Sequence, residues 1–422
     1  MFSVIGASWA LLFGMGVIML GNGLQNSLLG LRADLEGFGT EVTGIVMSCY
    51  FVGYIVGSIW TPRMVQGVGH VRVFAALASL SSAAALLHVV FLDPFTWGAM
   101  RAVTGFSYAG LYVVAESWLN DRATNRTRGQ LLSVYMVVLF GGLALGQLLL
   151  NVGDPGGFVL FVLTSVLISV ALVPISLTAG QVPEFQAPSR VSLMQLYRLS
   201  PLGVIGSMFT GMSHGAIFAM GAVLAKAVGL SVSEVSYFMA CFIIGGMLFQ
   251  WPIGHASDRF DRRQVLTAVT FLAAAVAVVA TTATAAHPVA LFAVAFVLGG
   301  MALPMYSVCL AHTNDNLEPS QMVAASGTLV LAGGVGATAG PTAAAALMSM
   351  LGPSGFFWWL AITHAAIGIF ALYRMTRRPA TPLDEQVPAM PIAPAASAVA
   401  VAVAARAVRD QMDRDLARMS KR

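Results

Sequence analysis

Two ionisable side chains interrupt an otherwise apolar stretch near residues 96–119: Arg101 and Glu116. In hydrocarbon such a group costs a few kcal/mol or more, so it marks a function by default. Arg101 could couple protons or orient a bound molecule. Glu116 could accept a proton or latch onto a basic loop carrying Arg259 and Arg262. On a helix, Arg101, Gly105, Tyr108, Tyr112 and Glu116 share one stripe. At a rise of about 1.5 Å per residue the two charges lie roughly 22 Å apart, too far to pair.

Two more polar faces stand out. Asn22, Gln25 and Asn26 recur at i, i+3, i+4 in the first apolar stretch, and Thr210, Ser213 and His214 at the same spacing in the seventh. These read as opposite walls of one binding site, to which Tyr306 adds a hydroxyl. Amides, hydroxyls and tyrosines suit a small, mostly neutral, flat organic molecule. Phosphorylated or dicarboxylic compounds call for clustered basic groups, and only Arg101 is in place. A heterocyclic vitamin such as riboflavin fits this chemistry, and His214 would suit proton coupling. A competing reading is Cu(I) import, because Met208 and Met212 put two thioethers one turn apart near His214. With 22 methionines in the chain, such pairs are expected by chance. No nucleophile–base constellation, phosphate-cradling loop or ATP motif is present. The sequence therefore reads as a non-enzyme with no cofactor and no resident metal. Its three cysteines, Cys49, Cys241 and Cys309, lie in apolar stretches and form neither a disulfide framework nor a zinc motif.

The elements that must position these groups follow from composition. Of 422 residues, 58% are hydrophobic and only 9% charged, against about 25% charged in soluble domains. The mean hydropathy is +0.81. Stretches long enough to cross a bilayer, about 20 residues each, recur twelve times. Six fall within 4–178 and six within 202–374. The expected fold is all-α and membrane-embedded, with an N-terminal six-helix bundle over 1–179, a linker over 180–201, a C-terminal bundle over 202–378 and a tail over 379–422. Nineteen of the 22 Lys and Arg residues fall in alternate loops and the tail. That bias places both termini in the cytoplasm and explains the basic composition without nucleic acid. One loop on this side, 312–321, breaks the pattern, carrying Asp315 and Glu318 without Lys or Arg. The tail is rich in Pro and Ala before its charged end and reads as a disordered, solvated extension.

The halves match at an offset of 192 residues: Gly14 falls on Gly206, Asn22 on His214, and Gly141-Gly142 on Gly333-Gly334. Such a repeat implies duplication of a six-helix unit, with substrate handled between the halves. Gly254-x-x-x-Asp258-Arg259-x-x-Arg262-Arg263 resembles the loop signature of the major facilitator superfamily, with Asp261 where a glycine is usual. Arg101-x-x-x-Gly105-x-Ser107 resembles that family's fourth-helix element. The run from Tyr112 to Asn120, with Gly69-His70-Val71-Arg72, is similar to the YcaD-like bacterial permeases. The resemblance covers about residues 1–378. It implies a monomeric secondary transporter of the cell inner membrane, surrounded by lipid, taking up a small molecule by alternating access with protons as coupling ion. It also implies that Asp258, Arg259 and Arg262 govern gating, the Asp258 carboxylate meeting the fifth helix near Gly129-Gln130 when that end is closed. The fifth helix lacks the Gly-Pro pair of drug antiporters, which weighs against export. A non-transporting sensor or assembly factor on the same fold is the remaining alternative.

Overall fold

The computed structural model describes residues 8–124, 127–177, 191–283 and 288–382, with Gly6, Gln386, Ala389 and Val399. The first half comprises α1 (Trp9–Leu35), α2 (Thr40–Val68), α3 (His70–Val90), α4 (Pro94–Arg122), α5 (Arg128–Leu148) and α6 (Val159–Leu177). A short helix, Leu193–Leu199, started by the Ser192 side chain accepting from the Gln195 N–H, leads into the second half. There follow α7 (Pro201–Ala227), α8 (Val232–Arg259), α9 (Arg262–Ala283), α10 (Pro288–Asn314), α11 (Pro319–Leu351) and α12 (Ser354–Met375). Ten of these rods are long and apolar enough to span a membrane. The other two, α1 and α4, have 27 and 29 residues but carry the polar groups singled out above, which lower their hydropathy.

The expected single tenth span is broken. It runs as Pro288–Ala302 and Met305–Asn314, because Pro304 cannot donate to the preceding turn. The carbonyls at the end of the first piece lack intrahelical partners, and one of them, that of Ala302, accepts from His214.

Helices within each half approach closely through glycine. A Cβ at Gly53 would lie 1.9 Å from the Ala102 carbonyl oxygen, and one at Gly105 would lie 1.8 Å from that of Tyr50, so α2 and α4 touch backbone to backbone. Displaced by the 192-residue repeat, Gly53 becomes Gly245, where α8 meets α10 in the same way. Gly23 on α1 against α5 likewise becomes Gly215 on α7 against α11. The repeat is thus structural: equivalent small residues seat equivalent helix pairs. Gly105→Ala is expected to destabilise the protein by about 1–3 kcal/mol, read as a lowered melting temperature in detergent. Gly141→Ala, where a Cβ meets nothing within 4 Å, should leave it unchanged.

The halves meet through α2 with α11, α5 with α8, and α1 with α7. Their closest contacts gather at the end opposite the arginine-rich loops. Ser48 and Thr342 hydroxyls lie 2.9 Å apart, the Asn151 amide donates to Ser236 at 2.8 Å, and Gly44 seats against Pro341. Arg32 is buried in the last turn of α1. It pairs with Glu36 and donates to the carbonyls of Pro155, Gly156 and Gly157, tying down the turn between α5 and α6. At the arginine-rich end, α5 and α8 stand apart around a cleft of about 1120 Å³.

Most of the tail lies outside the described residues. At two described positions it departs from the expected solvated extension: Ala389 is hydrogen-bonded to Asp258, and Val399 is helical and only 7% exposed.

Candidate functional site

Between the halves lies a cavity with about 1000 Å³ of atom-free space, counting the part that opens to solvent. From the first half come Asn22 and Asn26 of α1, Tyr50, Phe51 and Tyr54 of α2, Arg101 and Tyr112 of α4, and apolar residues of α5. From the second come Ser207, Gly211, His214 and Phe218 of α7, Tyr306 of α10, and Gly333, Gly334 and Ala337 of α11. The repeat equivalents Asn22 and His214 therefore both face it, from opposite halves.

Arg101 is 2% exposed, and its guanidinium lies over the Tyr50 ring at 4.5 Å. Its Nε and Nη1 have no hydrogen-bond acceptor. The face of an aromatic ring offsets part of a buried cation's desolvation, but the unmade hydrogen bonds remain a cost. Tyr50 continues an aromatic wall, stacked on Tyr54 at 6.3 Å and tilted against Tyr108 at 6.4 Å. Tyr54 in turn meets Tyr112 at 6.4 Å. The Tyr112 hydroxyl donates to the Met19 sulfur at 3.1 Å. The Asn22 carbonyl oxygen and the Tyr306 hydroxyl are buried without partners. His214 sits 3.0 Å from the Ala302 carbonyl. A carbonyl only accepts, so Nε2 carries the proton.

The sequence-selected residues divide. Asn22, Asn26, Arg101, Tyr112, His214 and Tyr306 line the cavity. Gln25, Tyr108, Thr210 and Ser213 are buried but do not line it. On α7 the cavity-facing stripe is Ser207, Gly211, His214 and Phe218, at steps of four and three. His214 lies at its edge, shared with the i, i+3, i+4 face, whereas Thr210 and Ser213 turn away. The tyrosines of α2 were missed. Their signal was the Tyr50-Phe51-x-x-Tyr54 spacing, which puts two phenols one turn apart in an apolar span. Met208 and Met212 do not line the cavity. Their backbone carbonyls instead pack against Gly336 and Gly340 of α11.

The groups assigned to gating lie at the arginine-rich end. Glu116 is 2% exposed and accepts from the Tyr135 hydroxyl of α5 at 3.2 Å. Arg262 reaches Asp258 at 3.1 Å and Asp315 at 3.4 Å. Asp315 thereby accounts for the acidic loop that broke the charge pattern: it supplies a counter-ion to a buried arginine. Arg259 is exposed. Arg263 grips Asp261 through two nitrogens, at 2.8 and 3.1 Å, and donates to the Arg378 carbonyl at 2.7 Å. Burial alone raises the Asp261 carboxyl, but hydrogen bonds from the Arg263 side chain and backbone, with its charge, outweigh this and hold it below the usual carboxylate value. In this conformation the Asp258 carboxylate faces Arg262 and the Ala389 N–H, beside the cleft that separates α8 from α5.

Comparisons with known proteins agree with this architecture. The model of the Major Facilitator Superfamily matches residues 11–203 and 203–411. Among similar proteins is one from Salmonella arizonae named as the uncharacterized MFS-type transporter YcaD, 32% identical over 343 residues, covering 80% of this chain and 88% of its own. Its namesake from Escherichia fergusonii is 30% identical over 376 residues, with coverages of 88% and 97%. A crystal structure of the nucleoside transporter NupG superposes with a TM-score of 0.71 at 14% identity, covering 88% of this chain and 98% of that one. A D-xylose–proton symporter does so at 0.67 and 14%, with coverages of 86% and 97%. With a family match along nearly the whole chain and two repeated six-helix halves enclosing one cavity, this protein belongs to the major facilitator superfamily, as a multi-pass membrane transporter.

Proposed function

We propose that this chain takes up a small, mostly neutral organic metabolite with one strong hydrogen-bond acceptor, across the cell inner membrane and by alternating access. The arginine-rich end faces the cytoplasm, in keeping with the positive charge bias. One observation carries the reading of the cargo: a buried arginine with free donors beside a wall of tyrosines, in a cavity bounded by both halves. A carbonyl or single carboxylate on the cargo would satisfy Arg101, and a flat ring would lie along Tyr50, Tyr54 and Tyr112. Heterocyclic vitamins such as riboflavin and nucleobase-like compounds share that description. The closed outer end and the cleft at the arginine-rich end correspond to a cytoplasm-facing state. Protons serve as the coupling ion, with His214 as the group whose charge changes. Glu116, Asp258, Arg259 and Arg262 act in gating.

An uptake screen of vitamins, nucleobases and amino acids, in cells expressing the chain against cells lacking it, tests the proposal. Accumulation of a flat acceptor-bearing compound supports it. Accumulation of Cu(I) alone, lost on Met208→Ala and Met212→Ala, would overturn it. With a cargo in hand, Asn22→Ala and His214→Ala are each expected to weaken binding by about 1–3 kcal/mol, the cost of leaving a buried polar partner unpaired. Tyr112→Phe should cost less than Tyr112→Ala, since the ring is retained. Equilibrium binding to purified protein measures all four.

A further inference from the structure

Among the residues lining the central cavity, Arg101 is the one permanent charge, and no carboxylate lines it. Nε and Nη1 of Arg101 are buried without an acceptor. At a rise of about 1.5 Å per residue, Glu116 lies roughly 22 Å further along α4, where it accepts from Tyr135. A buried cation without a counter-charge is costly. A carbonyl on the cargo would fill the empty hydrogen bonds but leave the charge in place. A carboxylate removes both costs and can meet two guanidinium nitrogens at once. A second negative charge would in turn be stranded. No lysine or further arginine lines the cavity, and the His214 N–H is taken by the Ala302 carbonyl. The repeat that matches Asn22 with His214 fails here: Arg101 corresponds to Ala293, Tyr54 to Gly246 and Tyr112 to Pro304. The charge therefore comes from the first half alone, and with it three of the four lining tyrosines.

On the second half, two cavity-lining glycines differ in why they are small. Packing requires Gly211, where a Cβ would lie 2.0 Å from the Gly333 carbonyl oxygen. Packing does not require Gly333. A Cβ there would make ordinary contacts, 3.5 Å from the Ser207 carbonyl oxygen and 3.8 Å from the Tyr306 ring. Glycine weakens a helix relative to alanine, so this position inside α11 gains nothing from glycine except open space beside Tyr306. Given uptake through this cavity as proposed above, we infer that the cargo is a flat aromatic or heteroaromatic monocarboxylate. Its carboxylate neutralises Arg101, and its ring lies along the tyrosine wall in space that Gly333 keeps free. Cations are repelled, and phosphorylated or dicarboxylic compounds bring a charge that the cavity does not match.

Isothermal titration of the purified full chain at neutral pH, where the acids are ionised, tests this with matched pairs. The probes are benzoate and benzamide, nicotinate and nicotinamide, and indole-3-acetate and indole-3-acetamide, with cyclohexanecarboxylate as a non-planar acid and phthalate as a dianion. The tightest-binding aromatic acid should exceed its own amide, and both of these controls, by about tenfold or more in affinity. Arg101→Gln should bring that acid and its amide to within about twofold of each other. Gly333→Val should weaken the acid about tenfold while the melting temperature holds, with Gly333→Ala between the two. If Gly333→Val does not fold, Gly333→Ala, whose Cβ fits, takes its place. Failure of every acid to bind at millimolar concentration would overturn the assignment, as would an amide that equals its acid or a preference that survives Arg101→Gln. Unchanged affinity in both Gly333 variants would remove that residue from the site. Cellular uptake separates this from the transport reading. Accumulation of only neutral rings, such as riboflavin or a nucleobase, overturns the monocarboxylate and leaves uptake standing. Tight binding of an acid that never accumulates does the reverse.

Discussion

Arg101→Gln is expected to weaken cargo binding by about 10- to 150-fold. A hydrogen bond to a charged group contributes about 1.5–3 kcal/mol, and each 1.4 kcal/mol is about tenfold in affinity. The expectation rests on the position of Arg101, buried over Tyr50 in the cavity wall with two donor nitrogens unused. Lysine should rescue little, because an ammonium is a compact point charge without the forked donors of the guanidinium that lies over Tyr50. Isothermal titration of the purified variants checks the ranking of native over lysine over glutamine. Affinity unchanged in the glutamine variant would remove Arg101 from the binding site and leave it as a group that packs α4 against α2. The loss should be largest for cargo carrying a carboxylate and smaller for a carbonyl acceptor, so a pair of related ligands separates charge from hydrogen bonding.

The second large effect is expected at Asp258, and on rate rather than affinity. Asp258→Asn should slow transport about tenfold or more while equilibrium affinity stays within about tenfold, or 1.4 kcal/mol. Asp258 lies outside the central cavity, paired with Arg262 at the arginine-rich end. Asparagine keeps an acceptor of nearly the same shape but removes one of the two carboxylate charges, Asp258 and Asp315, that share Arg262. It also removes the charge that would meet the positive end of α5 on closure. Initial uptake rates in proteoliposomes, set beside binding to the same preparation, separate the two quantities. Loss of binding in a folded variant would instead tie Asp258 to the cargo site. Repeating the measurement in a chain ended after Arg378 shows how much of the effect runs through the tail.

Much of the architecture is determined by the chain's one-dimensional pattern. A bilayer demands stretches of about 20 apolar residues, and the charge bias of the loops separates the two ends. Both are local properties, as is the repeat that pairs Gly53 with Gly245 and Asn22 with His214. The cost of a charge in hydrocarbon marks Arg101 as a site candidate before any packing is known. Which face of each helix turns inward is a different matter, because neighbouring helices decide it. Gly105 was read on a stripe with Arg101 and Tyr112, yet it seats α4 directly on the Tyr50 carbonyl of α2. That close approach brings the α2 tyrosines into the cavity wall. Thr210 and Ser213 share spacing with Gln25, but in both helices the contacts with α5 and α11 set the rotation, and all three turn out of the cavity. Asp315 looked like an exception to the charge rule until folding placed it beside Arg262, more than fifty residues away in sequence. The tail, whose composition reads as solvated, meets Asp258 through a backbone N–H. A main-chain donor leaves no mark on residue type, so only the tertiary structure could place it there.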